Sequence, residues 1–367
     1  MSGVRGSERL RWGVVSLAVL MLSVSAPGAS TAGGEGPSFA LKYSAWHATH
    51  IVVIDEGGRV LASWKGDLPI GETLPIPMLS LPVLGPIRYQ FIGKRTLGDP
   101  DQVTDARRVL FLVRSADGWT RGGWQPTSLF GGMAVSMVWV EAGQVYAIMQ
   151  VENPGPSEIV PLGLMAGIGL MTEATFKKAV DDILQLQRAY EAVRAEADPA
   201  TRAQGLVPFL ETDSYECNQA AFATLAECGK EALPLLQSLL GDERRLTMHD
   251  ELVRALAKAG GQEAKQDLIA LLKEDLTYWQ QIGPALKEDW WGQEPMTTRY
   301  SRTYAILEQL SNLQLTEEDT QTVISIRDVW RSLPQLDHIG KGIGPDGNYV
   351  GDSQVVEMAN RIVGSIR

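Results

Sequence analysis

Shifting the sequence by 32 residues places Leu225 on Ala257, Gly229 on Gly261, Glu231 on Glu263, Ala232 on Ala264, Leu236 on Leu268, Leu239 on Leu271 and Leu240 on Leu272. A turn glycine, a small residue and three leucines recurring at one period define a helix-turn-helix unit. The apolar face of such a unit is buried only by stacking on a neighbour. Gly229 and Gly261 close the turn between helices, Ala232 and Ala264 permit close helix approach, and the leucines fill the seam. The same helical period begins earlier. Thr172 is a candidate N-cap with Glu173 in the first turn, and Phe176, Val180, Ile183, Leu184 and Leu186 make an apolar stripe. Short helices are predicted over 206–210, 220–226, 232–240, 252–259 and 264–272.

The stretch from Leu225 to Leu236, Leu-Ala-Glu-Cys-Gly-Lys-Glu-Ala-Leu-Pro-Leu-Leu, resembles the turn and second helix of HEAT repeats. The resemblance covers two units, Ala203 to Glu274. It implies an α-solenoid of the armadillo type and a scaffold that binds proteins or peptides.

Before this region the pattern is different. From Phe39 to Val151 the apolar segments are short, rich in Val, Ile and Trp, and punctuated by Gly or Pro, which reads as β structure. His50–Asp55 and Arg59–Trp64 flank Glu56-Gly57-Gly58 as a hairpin. Val109–Val113 is a further strand, and Ala134–Val140 and Gln144–Val151 form a second hairpin about Glu141-Ala142-Gly143. Residues 60–72, with Arg108–Leu112, are similar to the netrin- and metalloproteinase-inhibitor-like OB barrels. The cysteines that staple and arm those domains are absent here, so their inhibitory function does not transfer. Asn153-Pro154-Gly155-Pro156-Ser157 removes donors and fixes φ, which predicts a domain boundary. The apolar, glycine-bearing Leu162–Met171 follows as a loop too short to span a bilayer.

The expected organisation is therefore an α+β multidomain chain. A small antiparallel β barrel or sandwich occupies 35–152 and a Pro/Gly-rich linker with its apolar loop 153–171. A HEAT-like α-solenoid fills 172–335, with an irregular insertion at 275–299, a last helix pair at Asn312–Trp330, and a loop and terminal helix at 336–367.

Residues 1–32 carry Arg5, Arg9 and Arg11, then the apolar run Val14–Val24, then small residues ending Ser30-Thr31-Ala32. This is the layout of a secretory signal peptide, and it predicts an exported, periplasmic or extracellular protein with no membrane span after cleavage. Disulfides are permitted there, but Cys217 and Cys228 on one continuous helix lie roughly 16 Å apart and cannot bridge. The net charge of −11 argues against nucleic acid as a partner. Residues 161–340 hold 28 acidic and 17 basic residues against 12 and 10 in 35–160, so the helical part is the acidic one.

The residues singled out for binding are Trp279, Trp290, Trp291, Tyr300 and Tyr304, which crowd a segment also containing Tyr278, Pro284 and Pro295. Aromatics with rigid, amphipathic faces anchor ligands; the same residues can also plug the end of a helical array. No catalytic or metal site and no cofactor is predicted. Gly342-Ile343-Gly344-Pro345-Asp346-Gly347 lacks the strand and helix a dinucleotide site requires. His47 and His50 point to opposite faces if both lie on a strand. His249-Asp250-Glu251 lacks the His-Glu-x-x-His order, and neither a nucleophile elbow nor a phosphate loop occurs. The sequence favours an exported, non-catalytic protein whose solenoid binds a protein or peptide partner. Its rivals are a secreted hydrolase acting on glycan and a purely structural envelope component.

Overall fold

A computed structural model of the chain describes residues 36–55, 57–74, 107–115, 118–121, 137–141, 143–150, 157–161, 171–286, 295–333, 342–343, 349–350 and 353–365. The expected leader at 1–32, most of the apolar loop, Trp290 and Trp291 lie outside the described residues.

The chain opens with helix α1 (Gly36–His47), followed by β1 (His50–Ile54), β2 (Val60–Lys65), β3 (Arg107–Ser115), β4 (Gly118–Arg121), β5 (Met137–Glu141), β6 (Gln144–Gln150) and β7 (Ser157–Pro161). Both expected hairpins form. β1 pairs antiparallel with β2, Ile54 opposite Val60, and β5 with β6, Val140 opposite Val145. Gly58 and Gly143 take φ of +83° and +73° in the two turns, where a Cβ is penalised. The sheet order is β2-β1-β3-β5-β6-β7. β3 is long enough to hold β5 along Arg107–Leu110 and β4 along Leu112–Ser115 on one edge, while β1 pairs along the other. Every residue of β1 is buried, as in a strand covered on both faces. Val52, Ile54, Val60, Leu68, Leu74, Leu110 and Leu112 make one apolar cluster.

Three expectations are corrected. Among the described strands the sheet is open and not a closed barrel, because the free side of β2 is taken by its own return loop. Val60 N donates to Glu72 O and Gly71 N donates to Val60 O, both at 2.8 Å. Residues 39–47 are helix and not β: Leu41 and Ala45 bury one side of α1, and Lys65 Nζ reaches the terminal carbonyls of Ala45 and Trp46 at 3.0 and 3.2 Å, where a cation offsets the negative helix end. Ser157–Pro161 continues the sheet, Ile159 opposite Ile148, so the sheet extends past position 156.

α2 (Glu173–Arg194) begins as expected, with Thr172 Oγ1 accepting from Thr175 N at 3.2 Å. Its start is fixed to the sheet by a bidentate Arg107–Glu173 pair at 2.7 and 3.0 Å, and Phe176 packs against Trp64. The chain divides into two compact units, Met1–Ile183 and Leu184–Arg367, with the division inside α2.

The second unit contains α3 (Pro199–Leu206), α4 (Tyr215–Glu227), α5 (Leu233–Leu240), α6 (His249–Gly260), α7 (Lys265–Ile282), α8 (Met296–Leu310), α9 (Glu317–Arg331), the two-residue strands β8 (Gly342–Ile343) and β9 (Tyr349–Val350), and α10 (Gln354–Ser365). α6 packs between α4 and α8, α7 packs on α9, and α10 packs on both α8 and α9. The repeat equivalences take matching geometry. Gly229 and Gly261 have φ of +67° and +51°, each opens a 3-10 turn ending at Ala232 or Ala264, and Leu236, Leu240, Leu268 and Leu272 are buried. A Cβ on Gly260 would approach Ala264 Cβ to 2.9 Å and Leu233 to 3.0 Å, so glycine there permits the close approach. Cys217 and Cys228 are free and buried, and burial pushes the Cys217 thiol up to about 11.

Within the expected insertion at 275–299, α7 runs on through Ile282, because Leu268, Leu272, Asp275 and Trp279 continue one buried stripe, and α8 starts at Met296; residues 287–294 lie outside the described residues. Residues 312–330 hold one helix, α9, started by a Thr316–Asp319 capping box, in place of a pair. The 340–352 loop contains the β8–β9 ladder.

Candidate functional site

Two of the predicted anchors belong to the interior. Trp279 is fully buried; its ring lies 4.9 Å from that of Trp330, edge to face, and Tyr300 stands 5.5 Å from Trp330 on the other side. Tyr300 is buried, which pushes its phenol upward, and its hydroxyl donates to Gln354 Oε1 of α10 at 3.0 Å. Tyr304 is half-buried. The aromatic residues therefore glue α7, α8, α9 and α10 together, and Trp279 and Tyr300 offer no surface to a partner. Edge-to-face pairs of this kind contribute about 0.5–1.5 kcal/mol beyond area burial.

Beneath the rings runs a polar network that sequence reasoning missed. Asp275 of α7 is fully buried and accepts from Arg302 Nε at 3.0 Å, from Arg302 Nη2, and from Arg299 Nη1 at 3.1 Å. The Thr303 hydroxyl lies 2.9 Å from Asp275 Oδ2 and accepts from Trp279 Nε1 at 3.0 Å. His249, the first residue of α6, places Nδ1 3.4 Å from Arg302 Nη1 and Nε2 3.4 Å from the Asp242 carbonyl. Burial first, and then the Arg302 cation, hold its pKa down at about 4, so the ring is neutral. Arg299 also stacks over Tyr278 at 5.1 Å and pairs with Glu243. Trp330 Nε1 has no hydrogen-bond partner, at a typical cost of ~1–3 kcal/mol. A signal did exist in the sequence: Asp275 falls four residues before Trp279 and seven after Leu268 on the buried stripe of α7, where a charge needs a buried counter-charge. With Asp275 and Arg302 sealed from water, the network's chemistry is that of a structural bolt between α6, α7 and α8.

Partly exposed polar groups gather on the α4–α6–α8 side. Gln219 Nε2 donates to Glu251 Oε1 at 3.3 Å. Arg254 contacts Asp250, Glu251 and Glu308 at 3.2–3.4 Å. Burial and then the Glu251 charge raise the Asp250 carboxyl. Tyr215, at the start of α4, is 51% exposed; partial burial and Glu251 raise its phenol. Among the described residues no group of three metal-ligating side chains occurs, and no helix is long and apolar enough to cross a membrane. The chain matches no known family, curated protein or solved structure in comparisons with each.

Proposed function

We propose that the chain is an exported binding protein whose second unit is a short HEAT-like α-solenoid presenting its α4–α6–α8 side to a protein or peptide partner. One observation carries this reading. Gln219 and Glu251, 32 positions apart in the sequence, hydrogen-bond to each other. In a stacked array, residues one period apart become neighbours; a bundle of unrelated helices has no such consequence. The exposed Tyr215 ring supplies a rigid contact surface beside an acidic patch, which suits a partner with basic side chains.

The test is affinity capture from the exported fraction with the wild-type chain, Tyr215→Ala, and Trp290→Ala/Trp291→Ala. A partner retained by wild type and lost by Tyr215→Ala supports the α4–α6–α8 face. Loss confined to the tryptophan variant moves the site to the 287–294 segment, and an identical set in all three removes the platform reading.

A further inference from the structure

The last helix is joined to the array differently from the others. Segment 311–316 connects α8 to α9, whereas residues 332–353 lie between α9 and α10. The gap they cross is small. Arg331 Nη2, at the end of α9, donates to Asn360 Oδ1 in the middle of α10 at 3.3 Å, and the start of α10 is a further ~9 Å along its axis. Fully extended, the same residues reach roughly 70 Å. The β8–β9 ladder, two residues on each side, takes up part of that excess. The connection is still several times longer than docking α10 on its own α9 requires.

The seat of α10 has the form of a helix-binding groove. Val355, Met358, Ala359 and Ile362 are buried at i, i+3, i+4 and i+7, the spacing with which an amphipathic helix anchors in a groove, and α10 packs on both α8 and α9. Its charged residues Glu357 and Arg361 are exposed. At its margins Tyr300 of α8 and Arg331 of α9 bond to the neutral side chains of Gln354 and Asn360. The neighbouring joints are built otherwise. Asp275–Arg302 locks α7 to α8, and Lys265–Asp319 locks α7 to α9, each through buried charge. Parting either of those joints strands a buried ion, which is costly; releasing α10 does not.

We propose that the α8–α9 groove is an interaction surface for a second copy of this chain: each copy lays its α10 in the groove of the other, giving a two-fold, helix-exchanged dimer. The identity of the occupant follows from fit. α10 is the helix seen to fill this groove, the exchanged contacts repeat those made within one chain, and the 332–353 connection is long enough to reach a neighbour. Because the contacts cancel, concentration sets the balance. A tethered α10 is present to its own groove at an effective concentration on the order of millimolar, so the chain is a monomer when dilute and exchanges helices when concentrated. The exchange does not depend on any partner binding the α4–α6–α8 side.

The experiment uses two full-length variants, Arg331→Cys and Asn360→Cys, and a short bismaleimide crosslinker, with the links located by peptide mass mapping. Arg331 is exposed and Asn360 half-buried, so both changes spare the apolar face of α10, and the native Cys217 and Cys228 are buried. A chain carrying both substitutions is expected to link 331 to 360 within itself at any dilution, which checks that α10 is seated. The two single variants, mixed, are expected to give an inter-chain 331–360 link that is absent on mixing and grows during incubation, as release of α10 requires. Below the millimolar range its yield rises about tenfold for each tenfold in concentration, and an excess of the free peptide 353–365 removes it. A helix that only seals the end of the array gives no inter-chain link at any concentration, and chains that merely collide link at once and at scattered sites. Either result, or a doubly substituted chain that does not link within itself, overturns the proposal.

Discussion

The two units each set a histidine beside charged side chains, in opposite ways. In the helical unit His249 is buried, faces the Arg302 cation and stays neutral far below its ordinary range. In the sheet unit His50 faces the exposed carboxylate of Asp67 and an exposed hydroxyl. Surroundings decide what one imidazole meets: burial and a neighbouring guanidinium keep His249 neutral, while the His50 ring lies against a carboxylate. The same contrast holds for the aspartates. Asp275 is sealed between two guanidinium groups, whereas Asp67 projects into water.

The comparison breaks first at Asp275. Asp275→Ala leaves Arg299 and Arg302 facing each other in the interior, and removing one partner of a buried pair costs about 3–5 kcal/mol. Chemical denaturation is expected to show that loss. A change near zero would mean that water reaches the network. Next is pH. His249 titrates near 6.5 when unfolded and about 4 when folded, so between these values the unfolded chain binds the extra proton. Stability therefore falls as pH drops from 6.5 to 4, by ~1.4 kcal/mol for each unit contributed by this group. The slope is fully developed in wild type and flattened in His249→Gln, measured as denaturation midpoints across that range. Gly66→Ala comes third: it forces a Cβ into the His50 ring at a positive φ, and overpacking of this kind costs about 1–3 kcal/mol. It tests whether the His50 clamp is as tight as the placement of the ring requires.

What the sequence disclosed follows the same division. The turns at Gly58, Gly143, Gly229 and Gly261 were legible because a single residue type satisfies a backbone requirement locally. The burial of Leu236, Leu240, Leu268 and Leu272 was legible because these leucines recur in register. Helix α1 was not, since Phe39 to Trp46 is apolar on too many sides to separate a buried helix from a strand, and the burial of Leu41, Ser44, Ala45 and Trp46 together settles it. Asp275 and Arg302 were hidden because their pairing spans 27 residues, and charge on a helix is ordinarily solvated. Trp279 misled for the related reason that an aromatic in a polar segment reads as an anchor. Its position eleven residues after Leu268, on the same face of α7, was the better guide. The His50–Asp67 contact depended on the turn after β2 folding back onto the start of β1, which neither spacing nor composition encodes.

The smallest effect is the most direct measure of what burial adds. Lys178–Asp182 on α2 is a 2.6 Å pair with both side chains more than half exposed, and Lys265–Asp319 is a 2.7 Å pair between α7 and α9 with both nearly buried. If separation set the energy, the α2 pair would couple at least as strongly. Solvent screening reverses that order: an exposed i,i+4 pair is worth ~0.3–0.5 kcal/mol. The Lys265–Asp319 pair, which also sits in the capping box of α9, couples by more than about 1 kcal/mol because its field is less screened. Double-mutant cycles on both pairs, repeated at high salt, should leave the buried coupling nearly unchanged and erase the exposed one. Equal couplings, or equal sensitivity to salt, would mean that the burial of Lys265 and Asp319 adds nothing to their pairing.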